Sequence, residues 1–274
     1  MADNEFLQFE NSLRLLTPQA LESYGELERA VLPAAGFAYA SPWVNNYRIF
    51  AVGTTTWHRT HRGYLTISKH AHPQKGVLKL SVERNIILSY QTAYQKTLMD
   101  MLCNDDELVR PTDWTLDNTI VDFGGEEEKV CSKYNEISRL AGVLLVKDYV
   151  SGRVTTRYTG LVSTDISLMT AVQNYGQEPP QDSFTMLEEM DKPKPGQSIR
   201  YIGIEKFRMG GKDITSYWYQ QTGCGILPTN YYVDSKDGRL LIMISGMKAY
   251  ILDDAYIKTQ EKVVEFLKKR GPQE

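Results

Sequence analysis

A chain of 274 residues, 42% apolar and 24% charged, can bury a substantial core without disulfide or metal staples and has the composition of an ordinary globular protein. A formal net charge of −3 supplies no basic surface of the kind that nucleic acid or an anionic membrane requires, so no nucleic-acid partner is expected. No apolar run approaches the roughly 20 residues that cross a bilayer, so no membrane span is expected.

The N-terminus, MADNEFLQFENSLRLL, is acidic first and amphipathic after, which is not the pattern of a signal peptide. That allows a cytoplasmic protein or a secreted one without its leader. Phe6, Phe9, Leu13 and Leu16 share one helical face, and Thr17-Pro18 restarts the helix with a cap and a first-turn proline. Tyr24, Leu27 and Val31 make the next stripe before Leu32-Pro33 ends it. Helices are therefore expected over 1–33, flanking a sheet or, alternatively, serving as an arm for a protein partner or a second copy of the chain.

From 45 to 253 the text is β. Tyr47–Trp57 reads as a strand, Thr60–Gly63 as a turn, and Tyr64–Lys69 alternates cleanly. Pro73–Gly76 turns into Val77–Glu83, extended chain continues through Ile86–Thr97 and Met99–Cys103, and Asp117-Asn118 and Gly124-Gly125 punctuate the next section. Glu126–Glu128 reads as a solvated turn. Leu140–Val150 and Arg153–Thr159 make a hairpin about Ser151-Gly152. A short helical insertion is expected near 165–190: Asp165 caps a segment carrying Leu168, Met169 and Val172, and Phe184–Met190 forms a second turn of helix. Lys192–Gly196, with Pro193 and Pro195, reads as a rigid loop.

The stretch Gln197–Asp253 is a meander. Gly210-Gly211 suits a primed hairpin turn, Ser235–Gly238 is the turn before Arg239–Ser245, and Gly246 precedes Lys248–Leu252. Leu240, Ile242 and Ile244 alternate with Leu241 and Met243, so both faces of that strand are apolar and something must cover it from outside. A closing helix over 254–270 carries Tyr256, Val263, Val264 and Leu267. The fold expected is mainly β: a large curved antiparallel sheet or barrel of ten or so strands in a single domain spanning 1–274, with amphipathic helices at both ends. No βαβα rhythm points to a doubly wound sheet.

Two clusters carry candidate chemistry. His58, His61, His70 and His72 fall close together, and His70 and His72 have a usable ligand spacing; a metal-dependent hydrolase built on them is the enzymatic alternative. No H-E-x-x-H and no neighbouring carboxylate completes a site, so exposed turn histidines are the default, and no metal or other cofactor is expected. Tyr217, Trp218, Tyr219, Tyr231 and Tyr232 are the better lead, because rings on adjacent strands suit either a core edge or the lining of a cavity. Nucleophile and phosphate-loop signatures are missing, and Cys224 between two glycines has no cation beside it to activate it. The three cysteines, Cys103, Cys131 and Cys224, form no C-x-x-C pair and are expected as free thiols. No catalytic residue is assigned.

The last hairpin, YYVDSKDGRLLIMISG within Thr229–Gly246, together with the strand rhythm, resembles uncharacterised bacterial extracytoplasmic β-barrel domains. Those domains are similar in turn to half-barrel lipid carriers of the lipoprotein-localisation type. The resemblance implies an extracytoplasmic protein that binds an apolar or amphipathic small molecule, or a partner, and carries over no catalytic residue. The function expected is non-enzymatic binding in the concave face of the sheet, with an interaction module as the alternative.

Overall fold

The computed structural model of the protein describes residues 16–34, 36–52, 59–88, 93–122, 126–138, 143–158, 160–190 and 192–255. Eight strands come first: β1 (Trp43–Val52), β2 (Arg59–His70), β3 (Val77–Ile87), β4 (Ala93–Asn104), β5 (Pro111–Asp122), β6 (Glu127–Ser138), β7 (Val143–Asp148) and β8 (Arg153–Tyr158). Seven follow: β9 (Val162–Thr164), β10 (Phe184–Glu188), β11 (Lys192–Met209), β12 (Lys212–Thr222), β13 (Thr229–Asp234), β14 (Leu240–Ser245) and β15 (Lys248–Leu252). They form one sheet of fifteen strands, running from β8 back to β1, then from β15 back to β9. The first and last strands pair, with Tyr47 opposite Leu252.

All the ladders are antiparallel save β9 with β10, which are parallel and joined by helix α2 (Asp165–Ala171) and a single 3₁₀ turn. A parallel pair needs such a crossover. The sheet is strongly curved, since Arg84 on β3 comes within 3.8 Å of Glu189 beside β10, far along the strand order. It is not closed: β8 and β9 are its two ends and do not pair.

Register assigns the faces. Tyr201, Tyr219, Tyr231, Met243, Tyr250 and Ile49 lie directly opposite one another across β11 to β15 and β1, on the concave side. Trp218, Tyr232, Ile242, Ile251 and Arg48 make the neighbouring row on the convex side. The N-terminal segment covers that convex side, which is why β14 can be apolar on both faces. Leu21 and Leu27 are wholly buried there. The Thr17 hydroxyl caps helix α1 (Pro18–Ser23) by accepting the Ala20 N–H, and Tyr24 packs on Phe50. Arg48 donates to Asp253 Oδ2 at 3.1 Å and to the Glu26 carboxylate and carbonyl, so one buried guanidinium ties cover to sheet. Gly210 and Gly211, at φ 56° and 73°, form the expected primed turn. Gly210 also lets the cover come close, since a Cβ there would lie 2.6 Å from the Ala30 carbonyl.

Several expectations change. Thr60–Gly63 is no turn but part of β2; a Cβ on Gly63 would meet the Asn85 carbonyl at 1.7 Å, so glycine serves close approach at a bulge. Asp117-Asn118 sits inside β5. Phe184–Met190 is not helical: Phe184–Glu188 is strand β10, held between β9 and β11. Lys192–Gly196 opens β11 instead of looping out, tolerated because β12 pairs only from Ser198 onward, which leaves one side of the proline stretch without a ladder. Thr164, not Asp165, caps α2. The first N-terminal stripe (Phe6, Phe9, Leu13) and the closing helix over 254–270 lie outside the described residues, apart from its first two positions, which form a turn. Helix α1 stops at Ser23, before Gly25 at φ 70°, so the expected second stripe is mostly turn.

Candidate functional site

The curved sheet and the α2–β10 insertion border a half-open cavity of about 320 Å³. Its apolar lining is Met186, Ile226, Leu227, Tyr231, Met243 and Tyr250. Its polar lining includes Arg84, Asp165, Glu188, Glu189, Gln221 and Lys248. Buried members (Arg84, Met186, Gln221, Tyr231, Met243, Tyr250) make the inner end, whereas exposed Gly225, Leu227 and Lys248 mark the mouth. The space is amphipathic.

Local pattern explains who points inward. On β3 the buried positions alternate as Leu78, Leu80, Val82 and Arg84, so Arg84 takes the next inward place in an otherwise aliphatic series. From there a polar row crosses the sheet. Arg84 reaches Thr97 Oγ1 at 3.5 Å, Thr97 donates to Asn118 Oδ1 at 2.5 Å, and the Asn118 amide faces Cys131 Sγ at 3.2 Å. On the opposite wall the Tyr231 hydroxyl donates to Gln221 Oε1 at 2.7 Å, and the Gln221 amide bonds Gln197 Oε1 at 3.0 Å.

The charges are unevenly matched. Glu188 lies 3.5 Å from Lys194 and Glu189 2.9 Å from Lys192. Burial pushes the Glu189 carboxyl up, but its hydrogen bond to Lys192 and the charges of Lys192 and Arg84 bring it below the usual glutamate range. Burial holds the Asp165 carboxyl above the usual aspartate range, despite the Arg84 charge and the Ile166 N–H that it accepts. Burial likewise raises the Tyr231 phenol.

Of the five expected aromatics, Tyr231 alone borders the cavity. Tyr219 is on the same face but is covered by the insertion: its hydroxyl donates to the Gly176 carbonyl and its ring meets Tyr175 edge-on. Tyr217 stands further along β12 beside Tyr201. Trp218 and Tyr232 stack on the convex side, so alternation splits the cluster between the two faces. Arg84, Asp165, Met186, Met243 and Tyr250 escaped the sequence reading. A cation in the inward register of β3 was the available signal for Arg84; nothing local marks Asp165.

His58 and the His61 side chain lie outside the described residues. His70 is exposed, with Nε2 3.1 Å from Ser81 Oγ, and Ser81 donates to Asp100. His72 Nδ1 accepts the Gln74 N–H in the turn. Among the described residues no group of three His, Cys, Asp or Glu side chains is placed to hold a metal ion. All three cysteines are free, with Cys103 buried and its thiol pushed up to about 12 by burial.

No family model matches the chain, and no curated protein does. Among solved structures it is similar to a beta-barrel-like protein of a domain of unknown function, DUF1849, from Brucella abortus, at 10% identity and a TM-score of 0.50. That likeness covers 78% of this chain and 95% of the other. The likeness is one of fold. A putative outer membrane lipoprotein-sorting protein domain from Vibrio parahaemolyticus also aligns, at 9% identity over 82% of this chain and 92% of that one, but its TM-score of 0.20 is too low to add to the comparison. Among the described residues no helix is long and apolar enough to cross a membrane.

Proposed function

We propose that the protein is a binding protein without catalytic chemistry, holding one amphipathic small molecule in the concave cavity. The observation that carries this reading is the lining itself. Met186, Tyr231, Met243 and Tyr250 offer apolar wall, while Arg84, Asp165 and Gln221 sit among them. A wholly apolar guest would leave the buried Arg84 Nε without a partner, at a cost that a hydrogen-bond acceptor on the guest removes. The barrel-like likeness supports such a use, since curved sheets commonly keep their ligands on the inside. The described part of the N-terminal segment packs on its own sheet, so nothing there favours the partner-arm alternative.

Native mass spectrometry and calorimetry with decanoate and with decanol test the proposal. A 1:1 complex with at least one of them is expected. Met243→Trp, which fills the cavity from β14, is expected to abolish it. Failure of both amphiphiles to bind, or equal binding by Met243→Trp, overturns the reading.

A further inference from the structure

Arg84 is 5% exposed, and its Nε has no hydrogen-bond partner. Its polar contacts are long: Thr97 Oγ1 at 3.5 Å and Glu189 Oε1 at 3.8 Å. A guanidinium carries five donors in a planar fork, and one buried with so little to hold is costly unless something else completes it. The Glu189 carboxylate is shared with Lys192 and that of Glu188 with Lys194, so neither belongs to Arg84 alone. Asp165, the third acid on the lining, accepts the N–H of Ile166 and feels the Arg84 charge without closing an ion pair with it. Met186, Tyr231, Met243 and Tyr250 are buried on the same lining as Arg84, together with half-buried Ile226 and with Leu227, which is 58% exposed at the mouth. A buried cation with an unpartnered Nε therefore shares the cavity with an apolar wall.

Resting on the binding role proposed above, we infer that Arg84 is the anchor for an anionic headgroup: the cavity takes a single-chain amphiphile whose carboxylate, phosphate or sulfonate docks on the guanidinium fork, with its tail along Met186, Tyr231, Met243 and Tyr250. The fork suits a two-oxygen anion better than a hydroxyl, because paired charged hydrogen bonds are about twice as strong as neutral ones. Lys248 at the mouth is the second cation on the lining, and the Glu188 and Glu189 carboxylates there are paired with Lys194 and Lys192.

The test is calorimetry on the intact chain with five probes below their micellar concentrations: decanoate, decyl phosphate, decanol, decyltrimethylammonium and inorganic phosphate. Decanoate and decyl phosphate are expected to bind at least about tenfold more tightly than decanol, with decyltrimethylammonium weakest. Inorganic phosphate is expected to show no measurable binding, and if it matches decyl phosphate the site is one for free anions and the inference falls. Arg84→Gln is expected to weaken decanoate and decyl phosphate by about tenfold or more and decanol by less, so that the gap between anionic and neutral headgroups closes. Decanol equal to decanoate on the native chain overturns the anchor and leaves the binding role standing; no binding by any chain-bearing probe overturns both. The comparison of headgroups on the native chain decides the matter even if Arg84→Gln fails to fold.

Discussion

Two arginines, one on each face of the same sheet, are nearly equally buried, Arg48 at 3% exposure and Arg84 at 5%. On the convex face Arg48 is held by the Glu26 and Asp253 carboxylates and the Glu26 carbonyl, and the space around it is filled by the N-terminal cover. On the concave face Arg84 has two long contacts, a partnerless Nε and a cavity beside it. Burial alone therefore does not say what a charged residue is for. What separates the two is whether the fold itself supplies the partners: it does for the convex arginine, and the proposed ligand would supply them for the concave one.

That contrast can be broken by experiment. The largest effect is expected at Arg48→Ala. It leaves two buried carboxylates without their cation, and urea denaturation should show a loss of about 3–5 kcal/mol, with the 16–32 cover becoming sensitive to limited proteolysis. A loss under about 1 kcal/mol would mean that the convex pair is as dispensable as a surface ion pair. Thr17→Ala should cost about 1 kcal/mol, the usual value of one helix cap, because it loosens only the start of that cover.

Arg84→Gln should change stability by less than the convex cap does, in either direction. Removing a poorly partnered buried charge relieves desolvation about as much as it forfeits attraction. A drop as large as that of Arg48→Ala would show the two arginines doing the same job. The last effect is read as a slope against pH. With the folded-state value of Asp165 raised by burial, the folded protein binds that proton more tightly than the unfolded chain does. Stability is then full below the ordinary aspartate value and falls as pH rises from there through the raised one. Asp165→Asn should remove that fall, so its advantage over the native chain appears above the ordinary aspartate value and levels off once pH passes the raised one. An advantage independent of pH would put the cause elsewhere.

The parts that were readable are those whose cause lies within a few residues. Gly210-Gly211 announces a primed turn because both positions need positive φ. Thr17-Pro18 announces a helix start for reasons of capping, and Leu240–Ile244 announces cover on both sides because its apolar residues fill both alternating sets. The misreadings have the opposite origin. Gly63 looks like a turn residue, yet its role is to let the Asn85 carbonyl approach from the next strand. Phe184–Glu188 has enough apolar residues for a turn of helix and becomes a strand because β9 and β11 offer it partners on both sides.

Taken alone, the sequence determined the zigzag: inward and outward positions along each strand, most of the turns, and the mainly β character of the chain. Those follow from the two-residue period of an extended backbone and from the special φ of glycine and proline. The tertiary structure alone decided that Arg84 of β3, Asp165 of α2 and Met243 of β14 share one cavity, and that Trp218 and Tyr232 do not. Which inward positions meet depends on twist and curvature summed over many strands, and no local stretch of sequence encodes that sum.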